Sequence, residues 1–330
     1  MAVLVTGGAG YIGSHMVFDL LDRGEEVAVI DNLSTGPSWV LPPEANHVKG
    51  DIGDDDLLDE VLKTGSIDTI IHFAGSIVVP DSVADPLAYY LNNTVKSRTL
   101  IAAAVRHGIA NFIFSSTAAV YGEPAETPVK EDAPTAPVSP YGTSKLMTEW
   151  MLRDSGKAYG LNHIALRYFN VAGADPKGRT GQSNPRATHL IKVACQTLLG
   201  QRSHMEVFGT DYDTPDGTCI RDYIHVSDLI AAHFDALKHL RNGGGSGIFN
   251  CGYGRGYSVL EVVKAVARVA GRDLNVQYGP RRAGDPARLV GGAELARSTL
   301  GWAPRHGNLD EIVASALKWE EKLLRRNARD

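Results

Sequence analysis

Gly8, Gly10 and Gly13 follow directly on the apolar run Ala2–Thr6 and open a stretch with helical spacing. No other feature constrains the fold as much, because each glycine answers a separate demand. One allows a tight turn, one lets the backbone approach a pyrophosphate, and one lets the helix pack closely on the strand. Gly7, Gly10 and Gly13 satisfy the shorter-spaced variant of the same pattern. The helix that begins there offers unpaired N–H groups and the positive end of its dipole to phosphates. Asp31 ends the second apolar run, 18 residues after Gly13. A carboxylate at that place accepts both hydroxyls of a ribose and repels a 2′-phosphate. Asn32, not an arginine, comes next. The expected cofactor is therefore NAD, not NADP.

Strand-like runs at Ala2–Thr6, Glu26–Ile30, Asn46–Gly50, Thr69–Phe73 and Asn111–Ser115 alternate with helical patterns at Gly13–Arg23, Asp55–Leu62 and Leu87–His107. This alternation predicts an α/β fold, a Rossmann-type doubly wound parallel sheet covered on both faces. From Glu123 to Pro140, five prolines leave room only for a loop. Ser139 and Pro140 then start a helix running to about Ala158, with serine as the cap and proline in the first turn. After Asn170 the alternation fades. We place an NAD-binding domain at residues 1–170 and a smaller mixed α/β domain at 171–330, with some segments returning to the first. The glycine-rich run Asn242–Gly247 is expected to be a flexible connector.

A net charge of −5 argues against a nucleic-acid partner. Cys195, Cys219 and Cys251 have no metal-ligand or disulfide spacing, so no metal is expected and a reducing compartment fits. The first residues lack a basic targeting region, and no apolar run approaches membrane-spanning length. The expected location is the cytoplasm, without membrane association.

Tyr141 and Lys145 lie four apart on the expected helix and share a face. A tyrosine is a poor base, and bringing its pKa near neutrality takes roughly 4 kcal/mol of preference for the phenolate. The lysine ammonium, a nicotinamide's charge and partial burial are expected to share that task. The run Phe112–Thr117 ends in the hydroxyls of Ser115, Ser116 and Thr117, at the carboxyl end of a strand where ligands bind in parallel sheets. Thr117 is placed there to relay a proton or hold a substrate hydroxyl. Ser115 and Ser116 also suit the capping of strand-end backbone groups.

These motifs occur in order with Asp-Asn-Leu from Asp31, Ile-His-Phe-Ala-Gly from Ile71, Phe-Ser-Ser-Thr-Ala-Ala-Val-Tyr-Gly from Phe114, Ser-Pro-Tyr-Gly-Thr-Ser-Lys from Ser139, Arg-Tyr-Phe-Asn from Arg167 and Arg-Asp-Tyr-Ile-His-Val from Arg221. The set resembles the extended short-chain dehydrogenases, and within them the UDP-glucose 4-epimerase family, from Ala2 to about Trp319. The resemblance implies tightly held NAD, a UDP-sugar substrate and a transient 4-keto sugar. It gives Tyr141 the 4-hydroxyl proton, Thr117 the relay, and Lys145 the tuning of Tyr141 and the nicotinamide ribose. It places Gly7, Gly10, Tyr11, Ile12, Gly13, Asp31, Asn32, Asp51, Ile52, Phe73, Ala74, Gly75, Asn92, Ser115, Tyr168 and Phe169 around the cofactor. Thr117, Tyr141, Asn170, Arg221, Arg282 and Asp285 are implied at the nucleotide sugar, where guanidinium forks suit a diphosphate. His225 reads as structural. Homodimers built through two long helices per subunit are also implied, here those at Leu87–His107 and Tyr141–Ala158.

Two positions depart from that pattern. Ile77 stands where some relatives have a lysine near the nicotinamide, which predicts weaker cofactor retention. Leu289 stands where some have a tyrosine closing the sugar pocket, so N-acetylated or pentose UDP-sugars remain alternatives. A 4,6-dehydratase needs a carboxyl beside the hydroxyl residue, but Ala118 and Ala119 follow Thr117. A non-catalytic NAD-binding regulator is expected to have lost the tyrosine–lysine pair, which is intact here.

Overall fold

The computed structural model describes residues 1–63, 66–282 and 285–328. Seven parallel strands form the main sheet: β1 (Ala2–Thr6), β2 (Glu26–Asp31), β3 (Asn46–Lys49), β4 (Ile67–His72), β5 (Asn111–Thr117), β6 (Asn162–Tyr168) and a later strand, Gly247–Cys251. The spatial order runs from that later strand through β6, β5, β4, β1 and β2 to β3. The chain therefore leaves β1 in one direction and returns to its other side with β4. That reversal creates a crevice at the carboxyl ends of β1 and β4, the usual ligand position in such sheets.

Both faces of this sheet are dry. Val3 and Val5 point into one cluster with Met16, Val17, Leu20, Leu229 and Leu237. Ala2 and Leu4 point into the other with Leu58, Leu62, Leu100 and Leu152. Period-two alternation between two apolar layers explains why these strands read as unbroken apolar runs.

Helices at Tyr11–Asp22, Asp55–Leu62 and Pro140–Tyr159 lie close to their expected spans. In the last, Ser139 accepts from the Gly142 N–H at 3.2 Å and Pro140 occupies the first turn. The expected Leu87–His107 helix is not continuous. It comprises Pro86–Tyr89, a wide π-turn segment at Tyr90–Val95 and Lys96–Arg106. A π-turn inserts one residue per turn and re-aims the side chains after it, a change that apolar periodicity does not reveal. The strands β4 and β5 are also displaced from expectation, starting at Ile67 and ending at Thr117.

The second half builds shorter pieces: β7 (Asn170–Ala172), β8 (Met205–Phe208), β9 (Ile220–His225), β10, which is the Gly247–Cys251 strand already named, β11 (Gly256–Ser258), β12 (Val276–Gly279) and β13 (Arg288–Leu289). The strands β7, β11 and β13 all pair with β9, while β8 pairs with β12. Helices Leu190–Leu198, Val259–Ala270 and Leu309–Asn327 supply a separate core containing Ile191, Val262, Ile312 and Val313. The Val226–Arg241 helix and β10 rejoin the main sheet, so Gly247 opens a strand instead of ending a free connector. Among the described residues, no helix is long and apolar enough to cross a membrane.

Candidate active site

The glycine turn is built as its spacing requires. Gly7 has φ +73° and its N–H bonds the Ile30 carbonyl at 2.9 Å. A Cβ on Gly7 would lie 2.6 Å from the Ala74 nitrogen, and one on Gly13 only 2.1 Å from the Gly7 oxygen. Gly10 differs, for a Cβ there would meet only the Gly7 oxygen, at 3.1 Å. Protein packing is therefore looser at position 10 than at 7 or 13, which leaves that glycine suited to close approach of a pyrophosphate. The Tyr11–Asp22 helix has no side-chain cap and no acidic residue in its first turn. Its first N–H groups, those of Tyr11, Ile12 and Gly13, stay available to an anion.

Asp31 is buried at the end of β2, where it accepts from the N–H groups of Ala9 at 2.9 Å and Leu33 at 2.7 Å. These bonds fix the carboxylate beside the turn. Asn32 donates to Asp51 at 3.3 Å, and Lys96 reaches the same carboxylate at 2.6 Å. Burial pushes the Asp51 pKa up, but the Lys96 hydrogen bond and the Gly53 N–H outweigh it and leave it below the usual range. Ile52 is buried in the sheet's lower cluster, with Ala74 packed on that cluster's edge. Phe73 lies 4.9 Å from the His233 ring. Uncapped helix start, open Gly10 and fixed Asp31 together suit an NAD pyrophosphate and ribose.

Tyr141, Lys145 and Glu149 rise along one helix face, a turn apart, and meet the end of β5. The Thr117 hydroxyl faces the Tyr141 phenol. Lys145 Nζ donates to the Ser115 carbonyl at 2.9 Å and lies 4.9 Å from the Phe114 ring centroid. Ser116 donates to Glu149, which forms a buried ion pair with Arg167 at 2.6 Å. Arg167 continues to Tyr121 at 2.9 Å, and Tyr121 donates to Asn250 at 2.8 Å. Ser115 also bonds the Tyr168 hydroxyl. The helix is thus held against the strand by one contact per turn.

Burial raises the Tyr141 pKa, and the Thr117 hydroxyl opposes that rise. Burial lowers the Lys145 pKa to about 8. In the protein alone the Lys145 ammonium serves the Ser115 carbonyl, and Thr117 is the group that eases ionisation of Tyr141. Partial burial, expected to share in lowering the Tyr141 pKa with the lysine and the nicotinamide charge, acts the other way here, because burying a phenolate is costly.

Residues that the sequence did not single out hold this frame. Asn93, 3% exposed, accepts from the Ser76 N–H at 2.7 Å and donates to the Ser76 carbonyl at 2.9 Å and the Ser144 hydroxyl at 3.1 Å. Its neighbour Asn92 donates to Ser76 Oγ at 2.9 Å. Both asparagines sit in the π-turn. His72 bridges Thr6 at 2.7 Å and Ser97 at 2.8 Å, linking the glycine turn to this segment. Burial drops its pKa to about 3, so the ring is neutral.

On the other side, Asn170 pairs with Tyr223 across β7 and β9. Asn170, Tyr11, Gln182, His189, Tyr223 and Trp319 border a narrow cleft. Tyr141 and Thr117 do not line it, so it adjoins the tyrosine–lysine site without containing it. The Tyr11 hydroxyl donates to the Gly173 carbonyl at 2.6 Å and joins the two halves here. Arg221, buried on β9, reaches Asp285 at 3.4 Å and the Pro286 carbonyl at 2.8 Å. Arg282 is exposed, its guanidinium 3.7 Å above the Phe208 ring. Arg221 thus reaches Asp285, whose N–H bonds the Arg282 carbonyl at 3.4 Å while the Arg282 guanidinium rests on an aromatic platform. Phe169 is buried near Gly291 and Leu146, with Leu289 packed on the same cluster. Gln182, His189 and Trp319 carry no spacing signal in the sequence. Ser227 donates to His225 Nδ1 at 3.0 Å and His225 Nε2 meets Ser315 at 3.1 Å, a structural role.

The NAD dependent epimerase/dehydratase family model matches residues 3–252. The UDP-glucose 4-epimerase of Azospirillum brasilense is 60% identical over 97% of this chain and 92% of its own length. The UDP-glucose 4-epimerase of Bifidobacterium longum, solved with NAD+ and UDP, is 39% identical, with TM-score 0.92 and 98% of each chain covered. The UDP-Glc/GlcNAc 4-epimerase of Campylobacter jejuni is 45% identical, with TM-score 0.84 over 97% of this chain and 99% of that one. By its glycine turn, its tyrosine–lysine helix and these matches, the chain belongs to the NAD dependent epimerase/dehydratase family.

Proposed function

We propose that this protein is an NAD-dependent UDP-hexose 4-epimerase that interconverts UDP-galactose and UDP-glucose through a transient 4-keto sugar. The observation that carries the reading is the Tyr141 phenol facing Thr117, one helical turn from buried Lys145, on a chain with the NAD turn intact. The chemistry that bound NAD supplies is hydride acceptance from C4 of the sugar and its return on the opposite face. Tyr141 Oη takes the 4-hydroxyl proton and gives it back. Thr117 holds that hydroxyl and eases the ionisation of Tyr141. Lys145 stays cationic near neutral pH and holds the nicotinamide ribose. Asn170, Arg221, Arg282 and Asp285 bind the UDP moiety.

The division of labour we favour gives residues 1–170 to NAD and 171–330 mainly to the nucleotide sugar. The apolar stripe Leu87, Leu91 and Val95, exposed by 77%, 55% and 51%, supports a homodimer, as does half-exposed Trp150 on the neighbouring helix. Three free, buried cysteines are in keeping with the cytoplasm.

Purified protein incubated with UDP-galactose and no added cofactor should yield UDP-glucose by chromatography. Activity only after NAD is added points to weak retention. That outcome fits Ile77, which is 46% exposed beside the site. No conversion in either case overturns the hexose reading. A second reading, 4-epimerisation of a UDP-N-acetylhexosamine or a UDP-pentose, is left open by Leu289, and the same assay with UDP-GlcNAc and a UDP-pentose tests it.

A further inference from the structure

We propose that Trp39 and Trp319 form a clasp that closes the ribose loop and sets how long NAD stays bound, an inference that rests on the NAD reading above. The loop after β2 begins on the glycine turn. Leu33 adopts φ +59°, uncommon for a leucine, while its N–H bonds Asp31. Gly36 lies so close that a Cβ would sit 2.0 Å from the Ala9 oxygen. Ser34 bonds the Asn32 side chain at 3.0 Å. This stretch therefore overlies the turn that takes the pyrophosphate.

Its far end is the short turn Ser38–Val40, which has no side-chain cap of its own. An aromatic stack fastens it instead. The Trp39 and Trp319 ring centroids are 6.4 Å apart at an interplanar angle of 28°. The Arg326 guanidinium lies 4.1 Å from the Trp39 centroid. Trp319 is 4% exposed and packs so tightly on Gly181 that a Cβ there would approach its ring to 2.4 Å. Half-buried Trp39 is thus the movable partner and Trp319 the fixed one.

Trp319 belongs to the Leu309–Asn327 helix, whose apolar face lies in the core of the second half. It also borders the cleft beside Asn170. The loop over the Asp31 ribose site is therefore fastened from outside the half that carries the glycine turn. A dinucleotide leaving Asp31 has to part this stack.

The test strips the protein of co-purified NAD, reloads it with radiolabelled NAD, chases with excess unlabelled NAD and follows release. Trp39→Ala should release label about tenfold faster than wild type, the scale of a lost aromatic pair together with its burial. Arg326→Ala, at an exposed position, should release it about threefold faster. Trp39→Phe, which keeps a ring, should stay within about threefold of wild type. Wild-type release rates in both alanine variants overturn the clasp. A lowered melting temperature of the stripped Trp39→Ala protein with unchanged release also overturns it, because the stack would then serve stability alone. Should Trp39→Ala fail to fold, Arg326→Ala decides by itself. Stripped wild-type protein that takes up no label, and that released no NAD when stripped, overturns the NAD reading, and the clasp with it.

Discussion

Lys145 donates to the Ser115 main-chain carbonyl at 2.9 Å from a position only 3% exposed, so the helix carries its cation into the interior and spends it on the strand. Such a charge is costly to bury, and that cost is visible in its pKa.

Burial lowers the Lys145 pKa from 10.5 to about 8. Between those values the unfolded chain binds more protons than the folded one, so stability rises with pH across that window. Below pH 8 the full penalty applies. Lys145→Met should therefore make the NAD-stripped protein more resistant to urea at pH 7. The gain is on the order of 3 kcal/mol, less about 1 kcal/mol for the lost hydrogen bond. It should shrink steadily from pH 8 upward while epimerase activity is lost. Urea titrations at several pH values check this, and an unstabilised variant at pH 7 contradicts it.

Tyr141→Phe removes the proton acceptor and keeps the ring. Turnover should fall by about 10² to 10⁴, the usual worth of a positioned acid–base group. NAD should still co-purify, as measured by release on denaturation. Thr117→Val should cost less and shift the alkaline-dependent rise in turnover to higher pH, because Thr117 opposes the burial that raises the Tyr141 pKa. Near-normal turnover of Tyr141→Phe would remove that residue from the mechanism.

Gly10 and Gly13 should separate binding from folding. An added Cβ at Gly10 meets one oxygen at 3.1 Å, whereas at Gly13 it meets one at 2.1 Å. Gly10→Ala should fold with a near-wild-type melting temperature but hold little NAD. Gly13→Ala should lose stability whether NAD is present or absent. Thermal melts with and without NAD distinguish the two, and equal behaviour contradicts the assignment.

Leu87→Glu combined with Leu91→Glu should give a monomer by light scattering. Both side chains are more than half exposed in the single chain, and charge on an apolar stripe opposes its burial. A dimer that persists at low protein concentration places the interface elsewhere.

The sheet was legible in the sequence because its strands are buried on both faces and read as uninterrupted apolar runs, as in Val3–Val5. The helix from Pro140 was legible through the serine and proline at its start. Asn93 was not, because the wide turn holding it keeps the composition of an ordinary helix. The buried pairing of Glu149 with Arg167 was not legible either, since nothing in either neighbourhood shows that each meets its partner inside. The cleft beside Asn170 was illegible for another reason. Its walls come from β7, three residues long, and from loops and helices far apart in sequence, so periodicity had nothing to act on.

The one-contact-per-turn ladder of Tyr141, Lys145 and Glu149 makes the site indexed in whole residues. A residue inserted between Ser139 and Tyr141 could be absorbed at the helix start. One inserted between Tyr141 and Glu149 would swing every later side chain about 100° around the axis. It would take Glu149 from Arg167 and so unseat the helix from the strand in a single step. Length changes in the proline-rich loop upstream disturb none of the three contacts. Length is therefore counted residue by residue from Tyr141 to Glu149, whereas the loop before Ser139 is held separately, through Val129 and Glu131.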